Sequence, residues 1–236
     1  MQEFAAHFEK IDDGEEILAY VYAFASERGA TALSYHCFPR FETPNSDRTF
    51  VHGIGFPEGA LETFVEEGLM KIDPVPALVF ANPPILSWHK AVAMTADDPV
   101  AVNYFKRMRE FGPLNGVSFS LYGPQSRDGY GAMVFEKPPG EMPEGLITLL
   151  HGVMQAAHVK ICQITVHGEE AVDLSERELE VLHWMSLGKS AANIATILSI
   201  SPDTVKTYVK RLYEKLGVGD KVAATVKGLR LGLIHF

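Results

Sequence analysis

Lys206, Lys210 and Arg211 fall together in "SPDTVKTYVKRLYEKLGV", residues 201–218. On a helix that spacing puts them, with Lys206's neighbour Thr207, on one face. Lys and Arg donate to guanine O6 and N7, and phosphates attract the same charges, so the chemistry on offer is nucleic-acid recognition. For an isolated run of charge, a solvated helix face is the plain alternative. A second candidate is Asp73 in "KIDPV", followed by Trp88 in "ILSW". A buried carboxylate can accept a hydrogen bond from an amide N–H, and an indole gives an apolar wall beside it. Taken alone, Asp73-Pro74 reads equally well as a helix-ending turn.

Other chemistries find no residues to carry them. The chain has no GxGxxG after a strand, no P-loop and no HExxH. His151 and His158 share a helix face without Cys or Asp/Glu at ligand spacing, and read as polar core or surface residues. Asp12-Asp13 and Glu66-Glu67 are adjacent pairs that point apart on a helix and read as solvated. No nucleophile and base can be paired, so the expectation is a protein that is not an enzyme and uses no cofactor or metal. Cys37 and Cys162 form no spaced framework and read as small core residues in a reducing cytoplasm.

The elements that would position these residues fall into two blocks. The 236-residue chain has a formal net charge of −9. Residues 173–236 hold nine Lys/Arg and seven Asp/Glu, a net of +2, which leaves −11 for the rest. The basic block can approach a polyanion that the acidic block repels. No run of 18 apolar residues or basic-then-apolar N-terminus occurs, so a cytoplasmic chain that does not span a membrane is expected. From Asp173 onward four short helices are well punctuated. Ser175 and Glu178 fit a capping box, Ser190 caps the second helix, and Ser201 with Pro202 opens the third. Gly188 and Gly217 are placed as stops. The third helix turns Val205, Val209, Leu212 and Leu216 inward, which leaves the basic stripe outside.

Earlier in the chain, "EEILAYVYAFASERGA", "EGALETFVEEGLMKI", "DDPVAVNYFKRMREFG" and "EGLITLLHGVMQAAHVKICQITV" read as helices. "ALSYHCF", "TFVHGIGF", "GVSFSLYGP" and "YGAMVFEKP" read as strands. The class is therefore α+β: an N-terminal α/β/α sandwich with an antiparallel sheet over 1–166, a linker over 167–173, and a helix-turn-helix bundle over 174–236.

"LSERELEVLHWMSLGKSAANIATILSISPDTVKTYVKRLYEKLGV" resembles the LuxR-type helix-turn-helix over its full length. The resemblance implies DNA as partner, with Lys206 and Lys210 near bases and Lys189, Thr204 and Lys221 near phosphate. "FPEGALETFVEEGLMKIDPV", "ILSW" and "FGPLNGVSFSLYGP…GYGAMVF" resemble the autoinducer-binding domain of acyl-homoserine-lactone regulators, with Asp73, Pro74, Trp88 and Gly116 matching its pattern. That implies a small-molecule pocket. By the same register the family's head-group tryptophan falls at Ala60, two tyrosines at Phe56 and Phe64, and a Ser or Thr near Val134. Lost donors at those four positions point to a bulkier or less polar head group. The alternative is a ligand-independent regulator whose first domain serves dimerisation only. A DNA-bound homodimer is expected, with Val222, Val226, Leu229 and Ile234 as an apolar seam.

Overall fold

The computed structural model describes residues 4, 7–38, 50–82, 84–124, 127–164 and 172–234. The chain divides into two compact units, Met1–His167 and Gly168–Phe236. The linker expected over 167–173 lies outside the described residues, except for Val172 and Asp173.

In the first unit, five strands form one sheet. They are β1 (Ala30–Cys37), β2 (Phe50–Ile54), β3 (Ile85–Ser87), β4 (Gly116–Leu121) and β5 (Gly129–Phe135). Their order is β2-β1-β5-β4-β3, and every pairing is antiparallel. Side-chain alternation splits the sheet into two unlike faces. Leu33, Tyr35, Val117, Phe119, Leu121 and Met133 are buried against α1 (Gly14–Ser26) and the long α7 (Leu146–Ile164). The other face carries Ser34, His36, Ser118, Ser120, Tyr130 and Ala132, all buried. Over it lie α4 (Val75–Ala81), α5 (Trp88–Met94) and α6 (Pro99–Met108), which contribute Val75, Val79, Ala91, Tyr104 and Phe105 to a second core.

Three local expectations change. The helix read over "EGALETFVEEGLMKI" is two, α2 (Ala60–Glu66) and α3 (Leu69–Ile72), because Gly68 takes a left-handed turn at φ 67°. Between Asp73 and Asp97 the sequence reading has no element, yet α4, β3 and α5 lie there, each too short for a periodicity signal. The acidic pairs are not merely solvated. Asp13 caps α1 by accepting from the Glu16 N–H at 2.8 Å. Glu67 takes both Nε and a terminal nitrogen of Arg107, at 2.8 and 2.6 Å, which ties the end of α2 to α6.

The second unit is a bundle of α8 (Glu176–Ser186), α9 (Ala191–Leu198), α10 (Pro202–Leu216) and α11 (Lys221–Arg230). Both halves of the Ser175/Glu178 capping box are formed. Ser190 and Ser201 cap α9 and α10, and Gly217 ends α10 in the left-handed region. Val181, Leu182, Ile194, Val205, Leu212 and Leu216 fill the centre. The buried Glu178 carboxylate also binds Lys215 Nζ at 2.7 Å, which joins α8 to α10. Its pKa is lowered: burial raises it, but the Lys215 and Ser175 hydrogen bonds outweigh burial. The expected apolar seam is narrower than read, since Ile234 belongs to the bundle's own core and Leu229 is half-buried. Val222 and Val226 remain exposed, at 72% and 49%.

Candidate functional site

Asp73 sits where α3 ends and α4 begins. Its carboxylate accepts from the Val75 N–H at 2.9 Å, so the helix-ending turn and the buried acceptor are one structure. The Tyr104 hydroxyl of α6 also hydrogen-bonds this carboxylate. Burial raises the Asp73 pKa to about 7, against the pull of those two hydrogen bonds. Trp88 opens α5 behind its Ser87 cap, and its indole N–H donates to Ser118 Oγ at 2.8 Å. Ser118 in turn shares a 2.7 Å hydrogen bond with the Tyr130 hydroxyl. Two short networks therefore lock the helices onto each other and onto the sheet.

These residues surround a cavity of about 490 Å³ between the polar sheet face and the helices. That volume suits a small organic molecule. Phe56, Ala60, Phe64, Asp73, Trp88 and Val134 all line it. Gly116 does not; it works behind Trp88. A Cβ at residue 116 would stand 2.2 Å from the indole, so only glycine lets the ring lie flat against β4. Sequence spacing missed Thr31, Ser34, His36, Tyr104 and Tyr130, which also line the cavity. The strand alternation in "ALSYHC" and "GYGAMV" carried the signal, because it turns Ser34, His36 and Tyr130 to one face.

Away from the cavity, His158 is fully buried. It meets the Tyr35 hydroxyl at 2.8 Å and the Arg127 carbonyl at 2.9 Å. Cys162, one turn further on α7, lies 3.7 Å from its Nε2, a neighbour that the histidine reading overlooked. Cys37 is only partly buried, and a hydrogen bond with Cys162 lowers its thiol to about 7. Among the described residues no group of three or more His, Cys, Asp or Glu could hold a metal ion.

In the second unit, Lys206, Thr207, Lys210 and Arg211 are all exposed on α10. Lys206 pairs with Asp203 at 2.9 Å, and Lys210 lies 3.9 Å from Glu214. Both pairs are solvent-screened and weak, so either lysine can be drawn off by a stronger anion. Thr207 Oγ1 donates to the Asp203 carbonyl, while Thr204 Oγ1 meets Ser201 Oγ at 2.8 Å, inside the N-terminal cap. Lys221 Nζ donates to the Lys189 carbonyl at 3.1 Å, so two lysines far apart in sequence stand together. The structure thus offers one exposed basic helix face, plus a Lys189–Lys221 pair at the start of α11.

Residues 13–161 match the family model of the autoinducer-binding domain, and residues 172–227 that of the bacterial regulatory proteins of the luxR family. The HTH-type quorum sensing-dependent transcriptional regulator RpaR of Rhodopseudomonas palustris is 30% identical over 186 residues, 77% of this chain and 74% of that protein. Escherichia coli SdiA has the same fold, with a TM-score of 0.71, 22% identity, and coverage of 100% of this chain and 98% of that one. SdiA in complex with octanoyl-rac-glycerol gives a TM-score of 0.70 at 23% identity, covering 100% and 95% of the two chains. The two SdiA structures thus share the fold of this chain, with its antiparallel-sheet unit followed by a helical bundle. The chain belongs to the LuxR family of DNA-binding transcriptional regulators with an autoinducer-binding domain.

Proposed function

We propose that the cavity of the first unit binds a small amide-bearing signal, an acyl-homoserine lactone or a relative with a bulkier or less polar head group. Binding there would govern how the second unit engages DNA. The observation that carries this reading is the buried Asp73 carboxyl beside Trp88 in a cavity of about 490 Å³. Such an acceptor suits an amide N–H, and the apolar Phe56, Ala60, Phe64 and Val134 suit a head group with few hydrogen-bonding atoms.

On the DNA side, Lys206 and Lys210 read bases with Thr207 and Arg211 beside them, and Lys189, Thr204 and Lys221 neutralise phosphates. The bound species is a homodimer, because one helix reads only a short half-site and two copies on a near-palindrome double the contacts. The protein works in the cytoplasm as a regulator and not as an enzyme. Among the described residues no helix is long and apolar enough to cross a membrane. Mass spectrometry of material extracted from the purified chain, together with DNA binding before and after extraction, tests the reading. A stoichiometric small molecule whose removal weakens DNA binding is the expected result. A clean protein that binds its operator unchanged would overturn the ligand role and leave the first unit as a dimerisation module.

A further inference from the structure

On the sheet face of the cavity His36 is a buried polar side chain without a hydrogen bond to the described residues, and it lies in one row with Tyr130 and with Ser120, which stands outside the cavity lining. His36, Tyr130 and Ser120 stand opposite one another across β1, β5 and β4. His36 is 4% exposed and Ser120 fully enclosed. Tyr130 directs its hydroxyl to Ser118. His36 meets only the Tyr130 ring, edge to face, with centroids 5.1 Å apart, and no hydrogen bond reaches it from the described residues. The Ser120 Oγ likewise has no hydrogen-bond partner among the described residues. Buried polar groups are almost always hydrogen-bonded in folded proteins, so His36, which lines the cavity, is placed to take a partner from a bound molecule.

Where these groups sit matters as much as that they are unpaired. Ala32 pairs with Val134 at one end of the β1–β5 ladder, and His36 pairs with Tyr130 four residues further along. That is roughly 13 Å of strand. Of the cavity residues, Val134 stands at one end of this span, and His36 and Tyr130 stand at the other. Burial holds the His36 imidazole down to about 4, so at neutral pH it offers one donor and one acceptor and no charge. Ser34, two residues back on the same face, also lines the cavity. A purely hydrocarbon tail would leave all of these unanswered.

We propose that His36, with Ser34 beside it, reads a hydroxyl or carbonyl oxygen carried by the tail of the bound molecule. The ligand class is then an acyl amide with an apolar head and a polar tail end. This inference rests on the cavity being a signal site. It is tested by calorimetric titration of the full-length chain with matched probes: six- and eight-carbon acyl chains, plain or hydroxylated at the terminal carbon, on homoserine lactone and on cyclopentylamine. For at least one head group the hydroxylated probe should bind about fivefold to tenfold tighter than its plain partner. His36→Leu should erase that preference, and His36→Gln should keep part of it. Plain probes that bind as tightly as hydroxylated ones would overturn the inference and leave the signal site standing. So would a preference that survives in a folded His36→Leu chain. If none of the probes binds, the acyl-amide cavity itself is misread, and the inference falls with it.

Discussion

Asp73 and His36 face one cavity with opposite protonation bias, so each should hide the other's effect on stability. Burial raises the Asp73 carboxyl from 3.8 to about 7 and lowers the His36 imidazole from 6.5 to about 4. Between pH 4 and 7 the folded chain keeps a proton on Asp73 that the unfolded chain has released. The Asp73 contribution is therefore full below pH 4 and is lost as pH rises through 7. His36 runs the other way: below 6.5 the unfolded chain takes up a proton that the folded chain refuses. Its contribution is present above 6.5 and is lost as pH falls toward 4. At ~1.4 kcal/mol per tenfold change, the spans are about 4 kcal/mol for Asp73 and about 3 for His36. From pH 4.5 to 6.5 they nearly cancel. Asp73→Asn, which can still cap Val75, should expose the His36 slope, so that stability rises with pH. His36→Leu should expose the Asp73 slope, so that stability falls with pH. The chain's two tryptophans, Trp88 and Trp184, lie one in each unit. In a Trp184→Phe background, Trp88 fluorescence follows unfolding of the first unit alone. Parallel pH profiles for the two variants would refute the reasoning.

Other consequences follow from particular contacts. Gly116→Ala should cost about 1–3 kcal/mol by overpacking against Trp88, and in a Trp88→Leu background it should be neutral or stabilising by about 0.5 kcal/mol. A thermal-unfolding double-mutant cycle that gave additive losses would contradict the contact. Lys206→Ala and Lys210→Ala should each relax sequence preference, by about 1–3 kcal/mol, whereas Lys189→Ala should weaken all sequences alike and lower the salt slope by about one. Equal losses on cognate and random DNA for Lys206 and Lys210 would show that they touch phosphate only. Ordinary acyl-homoserine lactones should bind weakly, and Ala60→Trp with Phe56→Tyr should strengthen them about tenfold to thirtyfold. Tight binding by the unaltered chain, unimproved by the substitutions, would mean that the head-group end has been misread.

The second unit was legible almost residue by residue, because its signals are local. Ser175, Ser190, Ser201 and Gly217 each mark a boundary within a few residues of the group they satisfy. The cavity was less so. Asp73 and Trp88 stood out by register, but Tyr104, Tyr130 and His36 come from a helix and two strands that meet only in the fold. The elements between Asp73 and Asp97 escaped for a different reason. α4 and α5 are seven residues each and β3 is three, shorter than the window in which a period can be read. Burial on both sides also blurs the contrast between apolar and polar faces.

Those short elements are the ones whose ends form the cavity. α4 starts on the Asp73 carboxylate, α5 starts at Trp88, and Tyr104 of α6 reaches the same carboxylate. Brief helices contribute little stability of their own, since each adds few hydrogen bonds after an unfavourable first turn. A molecule that hydrogen-bonds Asp73 and fills the space between α4, α6 and the sheet would stabilise the whole layer by mass action, by about 2.7 kcal/mol at a hundredfold excess over its dissociation constant. That is a large share of a small domain's total stability. At the Asp73 turn a single carboxylate already links the end of α3, the start of α4 and Tyr104 of α6, so a hydrogen bond made there by a bound molecule would act on three helices.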